Sequence, residues 1–387
     1  MRSSDYFEFF SQAKIMSGNR AMSNIPVELD GFDARKPLVV TSKEVTKAGL
    51  GKKFIRALYD SNVVIGAIFD EVPHYAGISQ VRDLVRLFRD RGCDSLIAIG
   101  GGAAADVAKC VNVMVSADTD DILQFVGDNM IAGHLKPFIY VATSGSAGYE
   151  ASNRATIEGR VIRSDFLFPD VICIDRSMVP AKNGDAVLEG AMVAFAQAVE
   201  AADMPNDNPV VDAYAHAAIQ FICENLRKGI RSPGNKDSGM ALANAAAMGA
   251  IAFSNSPEGT VHLISRSLAR VTGLSESLCM VVLLPYSLEL KLSKKEPFRG
   301  DLLLAMAGIE AFATTPEKER PRAALALIRQ LLAEGKHYPR TLKDVRVAKY
   351  RLDEAARAAA EEGDGRVDLK DCMNILEHAW EGTSILK

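Results

Sequence analysis

Short apolar runs alternate with helix-spaced stretches through the first half of the chain. Residues 38–41 (LVVT), 63–69 (VVIGAIF), 95–99 (SLIAI), 138–141 (FIYV) and 171–174 (VICI) are apolar on both faces. Strands buried between two helix layers read this way, whereas a half-exposed strand alternates apolar with polar. Between them, Val81, Leu84, Val85 and Phe88 recur at helical intervals behind Ser79, a suitable N-cap, and predict a helix over 79–91. Strand alternating with helix implies βαβ units and a parallel sheet.

After about Met178 the texture changes. Val-rich strands give way to Ala-, Leu- and Met-rich stretches over 186–203, 209–230, 238–253, 258–272, 276–294, 300–312, 319–333, 350–362 and 368–380. Strong helix formers dominate, and Gly or Pro punctuates the joins. The pattern predicts an α/β domain over 1–180 followed by an all-α domain over 181–387, divided near Pro180 and the turn at Lys182, Asn183 and Gly184.

Composition adds exclusions. The 387 residues carry 45 Lys and Arg against 49 Asp and Glu, a net charge of −4. No basic excess drives binding to nucleic acid or to a membrane surface, so neither is an expected partner. The six cysteines are scattered without a CxxC pair, which argues against a disulfide framework or a thiolate zinc site and for a reducing setting. The opening MRSSDYFEFFSQAK has no apolar core of signal-peptide type. A cytoplasmic location is the expectation.

Two loops carry candidate chemistry. The run 97–109 (IAIGGGAAADVAK) takes a strand through Gly100, Gly101 and Gly102 into a helix. Such glycines let backbone N–H groups approach an anion, and the helix start adds unpaired donors and partial positive charge. They also suit a plain strand-to-helix turn. The run 143–150 (TSGSAGYE) places Thr143, Ser144 and Gly148 after the next strand. Ligands of open α/β sheets bind at that edge.

The pair of loops, GGGAAADVAK followed by TSGSAGYEAS, resembles the iron-containing (group III) alcohol dehydrogenase family, with its GGGS-x-x-D-x-A-K and T-T-x-G-T-G-S-E patterns. Residues 187–201 (VLEGAMVAFAQAVEA), 208–210 (NPV) and 261–285 are similar to further family segments, so the resemblance covers nearly the whole chain. It implies a Rossmann-like N-terminal domain, a helical C-terminal domain in a dehydroquinate synthase-like architecture, and a nicotinamide cofactor in the cleft between them. It also implies an enzyme that is often a dimer or larger. Carried over, Gly100, Gly101 and Gly102 would hold the pyrophosphate, with Asp106 at the helix start and Thr143, Ser144 and Gly148 near the cofactor. Where family members often carry an Asp after the first strand, this chain has Ser42, with Lys43 beside it. Without that carboxylate, NADPH is expected to bind at least as well as NADH.

The resemblance also marks a departure. The family binds a divalent metal with an Asp, a His four residues later and two further His residues. The matching positions here are Val193, Gln197, His262 and Glu276. Valine cannot ligate and glutamine is a weak neutral ligand, so no metal is expected. Maleylacetate reductases are similar in reducing an acidic oxo substrate without the usual metal. Arg266, one helical turn after His262, is then a candidate for binding an anionic group or a developing oxyanion. His262 is the candidate general acid, and Glu276 and Tyr149 are candidate pocket residues. His74, His134, His216, His337 and His378 match no functional position. The expected activity is NAD(P)H-dependent reduction of a small, possibly anionic carbonyl compound. Two other readings stay open: a metal-dependent alcohol dehydrogenase with atypical ligands, and an inactive relative that binds nucleotide.

Overall fold

The computed structural model describes residues 6–73, 77–203, 208–296 and 299–386; His74 lies outside them. Among the described residues nine strands form in chain order: β1 (Lys14–Gly18), β2 (Pro37–Val40), β3 (Ala67–Phe69), β4 (Ser95–Gly100), β5 (Gly127–Asp128), β6 (Phe138–Ala142), β7 (Arg154–Ile157), β8 (Arg160–Arg163) and β9 (Val171–Asp175). The helices of the first half are α1 (Ile25–Gly31), α2 (Lys43–Lys47), α3 (Leu50–Ala57), α4 (Ile78–Asp90) and α5 (Gly102–Ser116). Those of the second are α6 (Gly184–Asp203), α7 (Pro209–Arg231), α8 (Lys236–Ser254), α9 (Thr260–Thr272), α10 (Glu276–Ser293), α11 (Leu302–Thr314), α12 (Arg320–Ala333), α13 (Arg351–Gly363) and α14 (Leu369–Glu381).

Six strands make one parallel sheet in the order β1-β9-β6-β4-β2-β3. Its central strands are buried on both faces, and the two-residue period sorts their side chains. Leu38, Val40, Leu96, Ala98 and Tyr140 pack with α4 and α5. Val39, Ile97, Ile99, Ile139 and Val141 pack with α1 and α3 on the other face.

Two edges depart from the sequence reading. The expected strand 63–69 shrinks to Ala67–Phe69, an edge strand that pairs only with β2 over three residues. At the opposite edge β1, KIMSG, was not anticipated; its half-exposed, polar sequence shows no strand period, and it forms by pairing in register with β9. The hairpin β7–β8 was also missed. It turns through Glu158 and Gly159, both at positive φ, as a tight two-residue hairpin requires.

The last strand ends at Asp175 and helix begins at Gly184. Each expected helix of the second half is present within three residues of its predicted ends. Helix α6 is buried around nearly its whole circumference, with Val187, Met192, Val193, Phe195 and Val199 inside, and is the central post against which α7 and α8 pack. A second cluster joins α9, α10, α13 and α14. No helix among the described residues is long and apolar enough to cross a membrane.

Candidate active site

The two loops noted in the sequence assemble into one cradle. Gly100 ends β4 at φ +135°, and Gly101 caps α5 with extended backbone. Ser146 Oγ donates to the Gly100 carbonyl at 2.6 Å, and the Tyr140 hydroxyl donates to the same carbonyl at 2.8 Å. Those bonds fix the carbonyl at the end of β4, while the amides of Ala104 and Ala105 turn back to the Gly101 carbonyl at 3.1 and 3.2 Å. The loops touch closely: a Cβ on Gly101 would stand 3.0 Å from the Gly145 carbonyl, and one on Gly102 3.0 Å from the Tyr149 ring, so a larger residue would push the loops apart. Thr143 and Ser144 line a narrow crevice between this cradle and the helical half, which also takes in Val179, Gly190 and Ala246.

The second loop is anchored from below. Lys109 is buried and donates from Nζ to the carbonyls of Tyr149 (3.2 Å), Ser152 (2.6 Å) and Arg154 (3.0 Å), satisfying all three of its protons. Glu150 is fully buried and accepts from the Gly148 amide at 3.0 Å; burial pushes its carboxyl up to about 7.

Several expected cofactor residues have other duties. Asp106 sits in the second turn of α5, and its carboxylate accepts from the Thr156 amide at 3.1 Å, tying the β7–β8 hairpin to the helix. Burial raises its pKa, the charge of Lys109 opposing. Gly148, at φ +96°, faces the helical half; a Cβ there would stand 2.7 Å from Gln197 Oε1 and 2.8 Å from the Ala246 carbonyl. It is packed closely against α6 and α8. Ser42 caps α2 in position, yet its side chain makes no capping bond. Lys43 pairs with Glu71 at 2.7 Å on the surface.

In the helical half His262 lies on the first turn of α9 and is 4% exposed. Its Nδ1 meets Glu200 Oε2, its ring stacks on Phe253 with centroids 3.9 Å apart, and its Nε2 is buried without a partner. Glu276 opens α10. Its electrostatic neighbours are Asp106 and Tyr149 on the side of the cradle, and Arg266 and His262 on the other. Burial raises its pKa. The Tyr149 hydroxyl bonds to Ser277, so the cradle and the start of α10 are joined directly.

Arg266 does not fit the role of an anion receptor. It is 5% exposed, donates to both oxygens of Glu258 at 2.7 and 3.0 Å, and donates from Nε to Glu362 at 2.6 Å. Arg154, from β7, reaches Glu258 at 2.7 Å and stacks on Phe253. Two arginines and two glutamates thus cancel, and the guanidinium of Arg266 is spent inside the protein. Arg266 therefore lends no support to a preference for an acidic substrate.

The donors at the metal positions do not match a divalent ion. Val193 is 0% exposed in the apolar core and has no ligand atom. Gln197 offers one buried amide oxygen without a partner, pressed against Gly148. Among the described residues, no three His, Cys, Asp or Glu side chains stand together as a ligand set. One imidazole, one amide and one carboxylate lack the charge and softness of a tight site.

Glu200 and Glu258 escaped the sequence reading. Glu200 lies within the helical run 187–201, and no periodicity marks it as more than helix. Glu258 sits in a loop where nothing local signals its partners.

Comparison with known proteins covers both halves. Residues 12–176 match the iron-containing alcohol dehydrogenase family model, and residues 187–380 match the model of the C-terminal part of the Fe-containing alcohol dehydrogenase family. An NAD-dependent methanol dehydrogenase of Bacillus methanolicus is 27% identical over 82% of this chain and 84% of its own length. A 1,3-propanediol dehydrogenase of Klebsiella pneumoniae is 25% identical over 89% of this chain and 90% of its own. The crystal structure of a 1,3-propanediol oxidoreductase superposes with a TM-score of 0.88 at 25% identity, covering 97% of this chain and 100% of that one. With the α/β half and the helical half matched in turn to the two halves of one family, the protein belongs to the iron-containing alcohol dehydrogenase family and is an oxidoreductase acting on CH–OH groups.

Proposed function

We propose that this protein interconverts a small neutral alcohol and its carbonyl compound with a nicotinamide cofactor, without a metal, using His262 to carry the proton. The observation that bears most weight is the His262 ring, held at Nδ1 by Glu200 and unpartnered at Nε2. Bound nicotinamide supplies hydride exchange at carbon. The chain supplies the rest. The cradle of Gly100, Gly101 and Gly102, with Thr143 and Ser144, binds the phosphates. His262 Nε2 gives a proton to the carbonyl oxygen during reduction and takes one from the hydroxyl during oxidation. Glu276 closes the space between the halves, and Phe253 with the apolar core of α6 keeps water from the ring. We assign residues 1–180 to the nucleotide-binding half and 181–387 to the helical half, and expect a cytoplasmic homodimer.

NADPH is expected to bind at least as well as NADH, because Ser42 presents a hydroxyl where a carboxylate would repel a 2′-phosphate. The methanol dehydrogenase relative is NAD-dependent by name, so both nucleotides belong in the test. Metal-stripped protein is titrated with each while nicotinamide fluorescence is followed. Binding of both without metal, NADPH the tighter or equal, and butanal reduction indifferent to chelator are the expected results. Binding or turnover that appears only after Zn²⁺ or Fe²⁺ is added sinks the metal-free reading. Ser42→Asp should weaken NADPH by roughly tenfold, the equivalent of about one pKa unit of repulsion, and spare NADH.

A cradle variant tests the other half. Gly102→Val puts branched carbon into the Tyr149 ring, which Ser277 and the Lys109-anchored backbone hold in place. Affinity for both nucleotides should drop by about tenfold or more, each 1.4 kcal/mol of lost contact being a factor of ten. Wild-type affinity in the same titration would place the phosphates elsewhere.

A further inference from the structure

A cavity of about 260 Å³ opens within the helical half, between α6, the start of α9, α10 and α14. It shares no lining residue with the crevice beside the cradle. Part of its wall is apolar and buried: Val199, Leu288, Val367 and Ile375. Two hydroxyls interrupt that wall. Ser287, on α10 and 4% exposed, and Thr260, the first residue of α9, make no side-chain hydrogen bond among the described residues. A buried hydroxyl that pairs with nothing in the protein carries a desolvation cost, and a polar group seated opposite it offsets that cost.

The acids of the wall are already matched. Asp203 pairs with Lys291, Asp371 with Lys294, and Glu258 with Arg154 and Arg266. Glu200 accepts the Val261 amide at 2.7 Å and meets His262 Nδ1. Glu296, at the exposed rim, stands 3.8 Å from Lys294. Arg366, in the loop after α13, is different. Its Nε donates to the Gly363 carbonyl at 3.0 Å, while its two terminal nitrogens have no acceptor among the described residues. Held by one corner, the guanidinium keeps a pair of N–H donors that match the two oxygens of a carboxylate. A cationic ligand would find no unmatched acid here. A dianion would bring its second charge against Glu200 and Asp203.

We propose that this cavity is a second ligand site, apart from the cofactor cleft, for a small hydroxylated monocarboxylate. The carboxylate binds the free edge of Arg366 at the rim. The ligand's hydroxyl bonds to Ser287 and Thr260, and its short carbon chain lies on Val199, Leu288 and Ile375. Ligand pockets commonly combine an apolar lining with a few placed polar groups in this way, and the volume suits a short organic acid. The site does not depend on the role given to His262, which does not line the cavity.

The test is a ligand-observed NMR titration of the full chain with 3-hydroxybutanoate, and with succinate and inorganic phosphate for comparison. One 3-hydroxybutanoate should bind per chain, more tightly than either comparison anion. Arg366→Ala should weaken it by about tenfold or more, the loss of a charge-assisted pair, and Ser287→Ala by about three- to tenfold, the loss of one hydrogen bond. Arg366 is exposed and Ser287→Ala removes a single atom, so both variants are expected to fold. Arg86→Ala, an exposed arginine on α4 in the other half, should bind as wild type does. Added NADPH should leave the affinity within about twofold, since no lining residue is shared. Absence of binding, unchanged affinity in Arg366→Ala or Ser287→Ala, or displacement by NADPH overturns the site. Tighter binding of succinate or phosphate overturns the monocarboxylate assignment.

Discussion

Replacing Glu258 with alanine is expected to lower the unfolding free energy by about 3–5 kcal/mol, the range for stripping the partner from a buried charge. Glu258 sits between two arginines that are 8% and 5% exposed. Without it, Arg266 keeps only Glu362, and Arg154 keeps the Ser256 carbonyl and the face of Phe253. Neither can move to water, because β7 and α9 hold their backbones. An exposed pair is the control: Glu354→Ala, which removes the partner of Arg351, should cost no more than about 1 kcal/mol. Urea or thermal melts of the two variants separate these magnitudes. Equal losses would mean that the arginine cluster contributes no more than surface charge. The same site sets a pH dependence. The adjacent guanidinium groups hold the Glu258 carboxyl well below its ordinary range, against the opposing effect of burial. A depressed carboxylate adds stability that is complete above its unfolded pKa of about 4.3. That stability drains away as pH falls below that value, and Glu258→Ala should flatten the acid limb of the curve.

Truncating His262 to alanine should reduce kcat by about 10²–10⁴-fold, the contribution typical of a positioned proton donor. Cofactor affinity should be unchanged, since the ring touches Phe253 and Glu200 and not the glycine cradle. The two readouts must diverge. Parallel loss of turnover and of nucleotide binding would make His262 a packing residue whose removal disturbs the cleft. Zn²⁺ or Fe²⁺ should not restore the variant, because Val193 offers no ligand atom and Gln197 only a neutral one. Restoration by metal would return His262 to the ligand role it has by position in the family.

The element order, the parallel sheet and the helical second half were legible in the sequence, because strand and helix periods are local. Each buried strand of the sheet centre and each late helix announced itself by spacing or composition. The edges did not. β1 has no period of its own and forms because β9 offers a partner. The hairpin depends on a two-residue turn that propensity for long runs overlooks.

The site divides in the same way. Identity alone settled what cannot occur at Val193, where no rotamer supplies a lone pair, and drew attention to the glycine loop, the hydroxyl loop and His262. Position in space decided the rest. Arg266 looks available in one dimension, yet its charge is cancelled by Glu362, 96 residues away, and by Glu258. Gly148 reads as part of a ligand loop, yet α6 and α8 press on it. Glu200 reads as plain helix, yet its carboxylate meets Nδ1 of His262, 62 residues away. Backbone propensity and residue chemistry are properties of short segments, so the sequence determined them by itself. Charge compensation, close packing and ring orientation arise between segments far apart in the chain, and only the tertiary structure decided them.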